Sequence, residues 1–127
     1  MAASSAQFHE SPEELKPETR DRHRAIVSLM EELEAVDWYD QRIDAAQDAE
    51  LRAILAHNRD EEKEHAAMVL EWLRRRDPQL DEHLRNYLFI EGSVLEREEQ
   101  LEGGADAGGA GGDGSLGIGS LRAEVRR

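Results

Sequence analysis

Two long stretches of this chain repeat their apolar residues at alternating steps of four and three, and each repeat is broken near its middle by acid. In the second stretch the series is Leu51, Leu55, Asn58, Glu62, His65, Val69 and Trp72, the heptad spacing of a helix seam packed against other helices. In the first it is Ala25, Leu29, Glu32, Val36, Tyr39 and Ile43, with Glu32 as the one carboxylate. Such seams commit the chain to an all-α fold. A composition of 35% charged and only 5% aromatic residues agrees, being dominated by strong helix formers. Burying a lone carboxylate costs on the order of several kcal/mol, so Glu32 and Glu62 need a compensating charge.

Local signals place the elements. Ser11-Pro12-Glu13-Glu14 reads as a helix start, but Pro17 interrupts it, so the firm first helix begins at Lys16-Pro17 and runs to about Ile43. Asp48 can cap a second helix from about Ala49 to Arg76. Asp77-Pro78 then stops that helix and starts a shorter third one, ending near Glu91-Gly92. Residues 1–10 are small and polar and are expected to be disordered. Residues 11–102 form the helical domain, with Glu96–Glu102 a frayed extension. The glycine, alanine and aspartate of 103–114 read as a flexible linker. Beyond it, Leu116, Ile118 and Leu121 restore branched apolar residues between glycines, a pattern suited to an extended segment filling pockets on a partner.

The protein supplies no obvious cation for the seam acids. Lys63 projects about 100° around the helix from Glu62, and Lys16 lies far up the first helix. Glu62-x-x-His65 does place a carboxylate and an imidazole one turn apart on one face, where both can grip a single ion. With a further glutamate from another helix, this is the donor pattern of di-metal carboxylate bundles, and oxygen with imidazole but no sulfur suits iron or manganese. A full site takes two such pairs and two more glutamates from four helices. This chain has one pair, one matching glutamate and two long helices. A two-fold axis between two copies supplies the rest, so the expected architecture is an antiparallel two-helix hairpin plus a short C-terminal helix, completed as a four-helix bundle by homodimerisation.

Other readings compete. Glu61 with His65 or His57 offers a second register at i, i+4 spacing. On a neighbouring face, Val27, Glu31, Glu34 and Trp38 form another series, either an ordinary charged surface or an outer cluster that collects cations. Trp72 is read as core, Trp38 as just off the seam, and Arg20, Arg22, His23 and Arg24 as a solvated face. His9, His23 and His83 receive no role. A net charge of −13 makes nucleic acid and anionic membranes poor partners. The absence of cysteine excludes thiolate sites and disulfides. No apolar run approaches the roughly 20 residues of a membrane span, and Met1–Glu10 has no signal-peptide character, so the expected compartment is the cytoplasm. There is no His-Glu-x-x-His, phosphate loop or Ser/His/Asp set.

The stretches Arg22–Ser28, Met30–Tyr39, His57–Met68 and Glu71–Arg75, with the C-terminal Asp113–Leu121, together resemble the encapsulated ferritins, ferritin-like cargo proteins of bacterial encapsulin shells. The resemblance spans about residues 20–92 plus the tail motif. It implies a ferroxidase that oxidises Fe(II) to Fe(III) at a di-iron centre shared by two chains. Glu32, Glu62 and His65 match its ligand positions, and Tyr39 matches a residue close to the centre. Glu31 and Glu34 match an outer metal site beside Trp38, for which Ca2+ or another divalent cation is a candidate occupant. It further implies dimers assembled into a ring-shaped decamer without a storage cavity, iron stored by the surrounding shell, and a tail docking through Leu116, Ile118 and Leu121. One departure is that Arg122–Arg127 follow the motif, whereas the family's motif ends the chain. The alternatives are a metal-binding carrier without oxidase activity and a purely structural helical adaptor.

Overall fold

A computed structural model of the chain describes residues 7–109, with side chains to residue 103; the expected tail residues Leu116, Ile118 and Leu121, and most of the expected linker's end, lie outside the described residues. Among the described residues every regular element is helical: a 3₁₀ turn Pro12–Glu14, then α1 (Pro17–Ala45), α2 (Ala49–Arg76), α3 (Pro78–Tyr87) and α4 (Val94–Gly109). None of these helices is long and apolar enough to cross a membrane. The chain divides into two units, residues 1–76 and 77–127.

In the first unit, proline stands at two of the expected helix starts. Pro12 opens the 3₁₀ turn and Pro17 occupies the first turn of α1, where its missing N–H leaves no bond unmade. The Arg20 guanidinium donates to the Leu15 carbonyl at 3.1 Å and holds the turn against α1. Residues 7–10, the described part of the expected disordered start, carry no helix or strand. The Phe8 ring sits against His23 with centroids 4.4 Å apart, so His23 acquires a packing role and leaves the solvated face. At the far end the Asp48 carboxylate accepts from Leu51 N–H at 2.9 Å, capping α2 as read.

The two long helices pack antiparallel. Asp40 meets Arg59 and Glu32 meets His65, so advancing along α1 means retreating along α2. Their mutual burial is slight: Ala66 and Leu73 are the only buried apolar residues among those described. Trp72, expected in the core, is half-buried with the Arg76 guanidinium 4.0 Å above its ring. Large apolar residues stay open on both helices, with Ile26, Met30 and Leu33 on α1 and Leu51, Ile54 and Met68 on α2. Two helices cannot enclose a core by themselves, and this pair leaves apolar faces that a further helix layer would cover.

The second unit is a helix corner. The Asp77 carboxylate accepts from Leu80 N–H at 3.0 Å and Pro78 takes the first turn of α3. The helix ends at Tyr87, earlier than the expected Glu91-Gly92, because Leu88 turns extended and Phe89 enters the left-handed region at φ 62°. Gly92, at φ 88°, completes the turn at no steric cost. Ser93 Oγ accepts from Glu96 N–H and starts α4, which is helical through the stretch read as frayed. It continues to Gly109, into residues read as linker, since each added residue gains a backbone bond once a helix is nucleated. The Arg97 guanidinium donates to the Asn86 carbonyl at 2.9 Å and ties α4 to α3.

Candidate metal centre

Glu32 reaches inward from the middle of α1, and Glu62 and His65 from the middle of α2. Heptad spacing explains the convergence, because all three occupy seam positions and the antiparallel register sets the two midpoints opposite each other. One donor atom from each lies within 4.8 Å of the others. His65 Nδ1 is 3.2 Å from Glu62 Oε1 and 3.6 Å from Glu32 Oε1. The Glu32 and Glu62 side chains are 25% and 24% exposed, while His65 is 47% exposed. The cluster is therefore closed toward the hairpin and open on the side of His65.

Its electrostatics describe two acids confined together. The Glu32 carboxyl is pushed above its ordinary range, first by its hydrogen bond with Glu62, then by desolvation and by the Glu62 charge. Glu62 is held below its range by that same bond and by His65. The His65 imidazole is raised, first by its bond to Glu62 and then by the Glu32 charge. Glu32 thus keeps a proton more readily while Glu62 stays ionised. A divalent cation would relieve this crowding, and two carboxylates with one imidazole are a donor set that iron or manganese accepts. Three protein donors do not fill an octahedral shell, so the residues fit half of a larger site better than a complete one.

The other expected site residues are not members of this three-residue group. Glu61 pairs with His57 at 3.3 Å on the exposed surface of α2, so the alternative register forms a separate contact. Glu31 and Glu34 are exposed on α1, and Trp38 is 49% exposed. Tyr39 is half-buried on α1, with the Arg42 guanidinium 5.4 Å from its ring. Sequence reading overlooked a contact close to the cluster, the pairing of Asp40 with Arg59. Its signal is faint, since opposite charges on two different helices carry no periodic signature.

Exposed apolar residues stand on the face of α2 that carries His65, Met68 one turn beyond it and Leu51 and Ile54 nearer the start of the helix. At about 100° per residue, Leu51, Ile54, His65 and Met68 share one face of α2. Leu51 is 46%, Ile54 51% and Met68 63% exposed.

Comparison with known proteins gives consistent matches. Residues 7–91 match the profile of the EncFtn-like family. The chain is 64% identical to an encapsulated ferritin-like protein of Rhodospirillum rubrum, over 98% of this chain and 94% of the relative. It is 52% identical to a ferritin-like protein of Thermotoga maritima, covering 91% of this chain and 97% of the other. It is also 39% identical, over 46% of its length and 45% of the relative, to an encapsulin nanocompartment cargo protein of Myxococcus xanthus. Among solved structures, a protein of Nitrosomonas europaea superposes with a TM-score of 0.67 at 63% identity, over 68% of this chain and 96% of that one.

Proposed function

The chain belongs to the EncFtn-like family, and from that membership we propose that it is a ferroxidase, oxidising Fe(II) to Fe(III) with dioxygen at a di-iron centre shared by two copies of the chain. The observation that carries the reading is the half-site itself. Glu32, Glu62 and His65 gather within 4.8 Å, and the face of α2 that carries His65 also exposes Leu51, Ile54 and Met68. A second copy placed there by a two-fold axis covers apolar surface and doubles the ligand set in one step.

Iron in this reading is substrate: two Fe(II) ions each give one electron to dioxygen, and Fe(III) leaves. The protein's part is to hold and release. Glu62, kept ionised by its hydrogen bonds, offers a standing negative charge to an arriving cation. Glu32 binds as the carboxylate, and the cation relieves the crowding with Glu62 that raises its carboxyl. His65 must bind as the neutral imidazole, so protons compete with the cation for it. A donor set shared between chains binds loosely enough to turn over, because separating the copies halves the ligands. Glu31 and Glu34, beside Trp38, act as an outer site that concentrates cations. Tyr39 stands near the centre.

The names of two relatives, an encapsulated ferritin-like protein and an encapsulin nanocompartment cargo protein, support an encapsulin setting. We assign the protein as encapsulin cargo, its dimers assembled into a ring-shaped decamer, the 115–127 tail docking on the shell and the shell storing the iron. Anaerobic titration with Fe(II) followed by air tests the activity. An oxidase gives rapid ferric absorbance that Glu32→Ala, Glu62→Ala and His65→Ala each sharply reduce. Near wild-type rates in all three would overturn the assignment. A carrier would bind without oxidising, and a structural adaptor would do neither.

A further inference from the structure

The hairpin brackets its metal cluster unequally. On the side toward the open end, α1 and α2 are joined by the buried Ala66 and Leu73. On the side toward the loop at residues 46–48, none of the described side chains of 33–61 is buried. A salt bridge crosses between the helices there. Arg59 Nη1 meets Asp40 Oδ1 at 3.0 Å, and Arg59 Nε meets Asp60 Oδ1 at 3.1 Å. Arg59 is only 25% exposed, although both of its partners are more than half exposed. Asp40 lies eight residues past Glu32 and Arg59 three residues before Glu62, about 12 Å and about 4.5 Å along the helix axes.

We propose that Arg59 and Asp40 are positioning residues for the metal centre, fixing the register of α1 against α2 so that Glu32 stands opposite Glu62 and His65. The inference rests on the metal-centre reading above. Its reason is geometric. A slip of one residue moves Glu32 by about 1.5 Å along the axis, enough to take an oxygen now 3.6 Å from His65 out of a shared coordination sphere. The planar guanidinium suits the task, because separate N–H groups aim at Asp40 on one helix and Asp60 on the other. An ammonium would supply charge without that direction.

Exposed ion pairs contribute little to overall stability, so the mark of this pair is in metal binding and not in melting temperature. A bridge of this kind accounts for about a 2- to 5-fold change in an equilibrium, and two bridges serve each shared site, so its loss weakens affinity on the order of tenfold.

The test is Co(II) binding to the full chain, followed by calorimetry and by the visible spectrum of the bound ion, with circular dichroism to establish helicity. Arg59→Ala and Asp40→Ala are expected to bind Co(II) on the order of tenfold more weakly, with an altered spectrum and wild-type helicity. The swap Asp40→Arg with Arg59→Asp is expected to recover most of the loss, and Arg59→Lys part of it. If an alanine variant does not fold, Arg59→Gln and Asp40→Asn decide in its place. Wild-type affinity and spectrum in the bridge variants, while His65→Ala loses the ion, would overturn the positioning role and leave the metal centre standing. Undiminished binding in His65→Ala would overturn the metal centre itself, and the positioning role with it.

Discussion

If Glu32 is kept for a cation, the metal-free protein is better off without its charge. Glu32→Gln preserves shape and one acceptor oxygen but removes a charge confined near Glu62, the donor atoms lying within 4.8 Å. At that separation two unit charges repel by about 1 kcal/mol in a water-like dielectric and by about 3.5 kcal/mol at an effective dielectric near 20. Both side chains are about a quarter exposed, so the relief lies toward the lower value, about 1 kcal/mol. For a helical unit of this size that raises the melting temperature by roughly 4–8 °C. The measurement is thermal unfolding by circular dichroism at pH 8, above the carboxyl range, with and without Zn(II). Metal-free Glu32→Gln is expected to melt higher than the wild type, and Zn(II), which stabilises the wild type by mass action, is expected to add little. The opposite pattern would refute the reasoning. A variant that melts several degrees lower without metal would mean that the Glu32 charge is satisfied by the fold. One that keeps its full response to Zn(II) would mean that Glu32 is not a ligand.

Zn(II), an inert mimic of Fe(II), should raise the mass of the wild-type protein measured by light scattering if, as proposed, each chain supplies half of the ligands, and should leave His65→Ala unchanged. Glu71 is held at about 2 by hydrogen bonds from Arg74 and Arg75. Its contribution is therefore complete above pH 4.5 and lost as pH falls from there toward about 2, and Glu71→Gln should flatten the acid limb of the unfolding profile in that window. Deleting residues 110–127 should leave Fe(II) oxidation intact, because Glu32, Glu62 and His65 all precede the cut, yet abolish loading into a co-expressed encapsulin shell. Normal loading of that truncated chain would move the docking surface onto the helices.

Much of this protein is written in periodicity and in helix punctuation. The 4-3 spacing in α1 and α2 has only one regular structure that gathers those residues on a face, and Pro17, Asp48 and Pro78 stand at or next to the starts of α1, α2 and α3 as observed. Acid in the middle of both seams was legible for the same reason, since position in a heptad is position on a face. The end of α3 was less so. Phe89 at φ 62° is a conformation that a large side chain rarely adopts, and propensity gives no warning of it.

The sequence by itself determined that this is an all-helical chain with Glu32, Glu62 and His65 as its out-of-place seam residues, because local spacing and charge are properties of the string. Only the tertiary structure decided which histidine pairs with which acid. His57 and His65 both have a carboxylate within one turn in sequence, but His65 alone has Glu32 facing it from α1. Register decided that, and register follows from contacts distant in sequence, Asp40 with Arg59 on one side of the cluster and the burial of Ala66 and Leu73 on the other. Burial, too, belongs to the tertiary level. The heptad marks Leu51 as a seam residue, yet Leu51 stays 46% exposed in a single hairpin, because a seam is covered only when enough helices are present to face it.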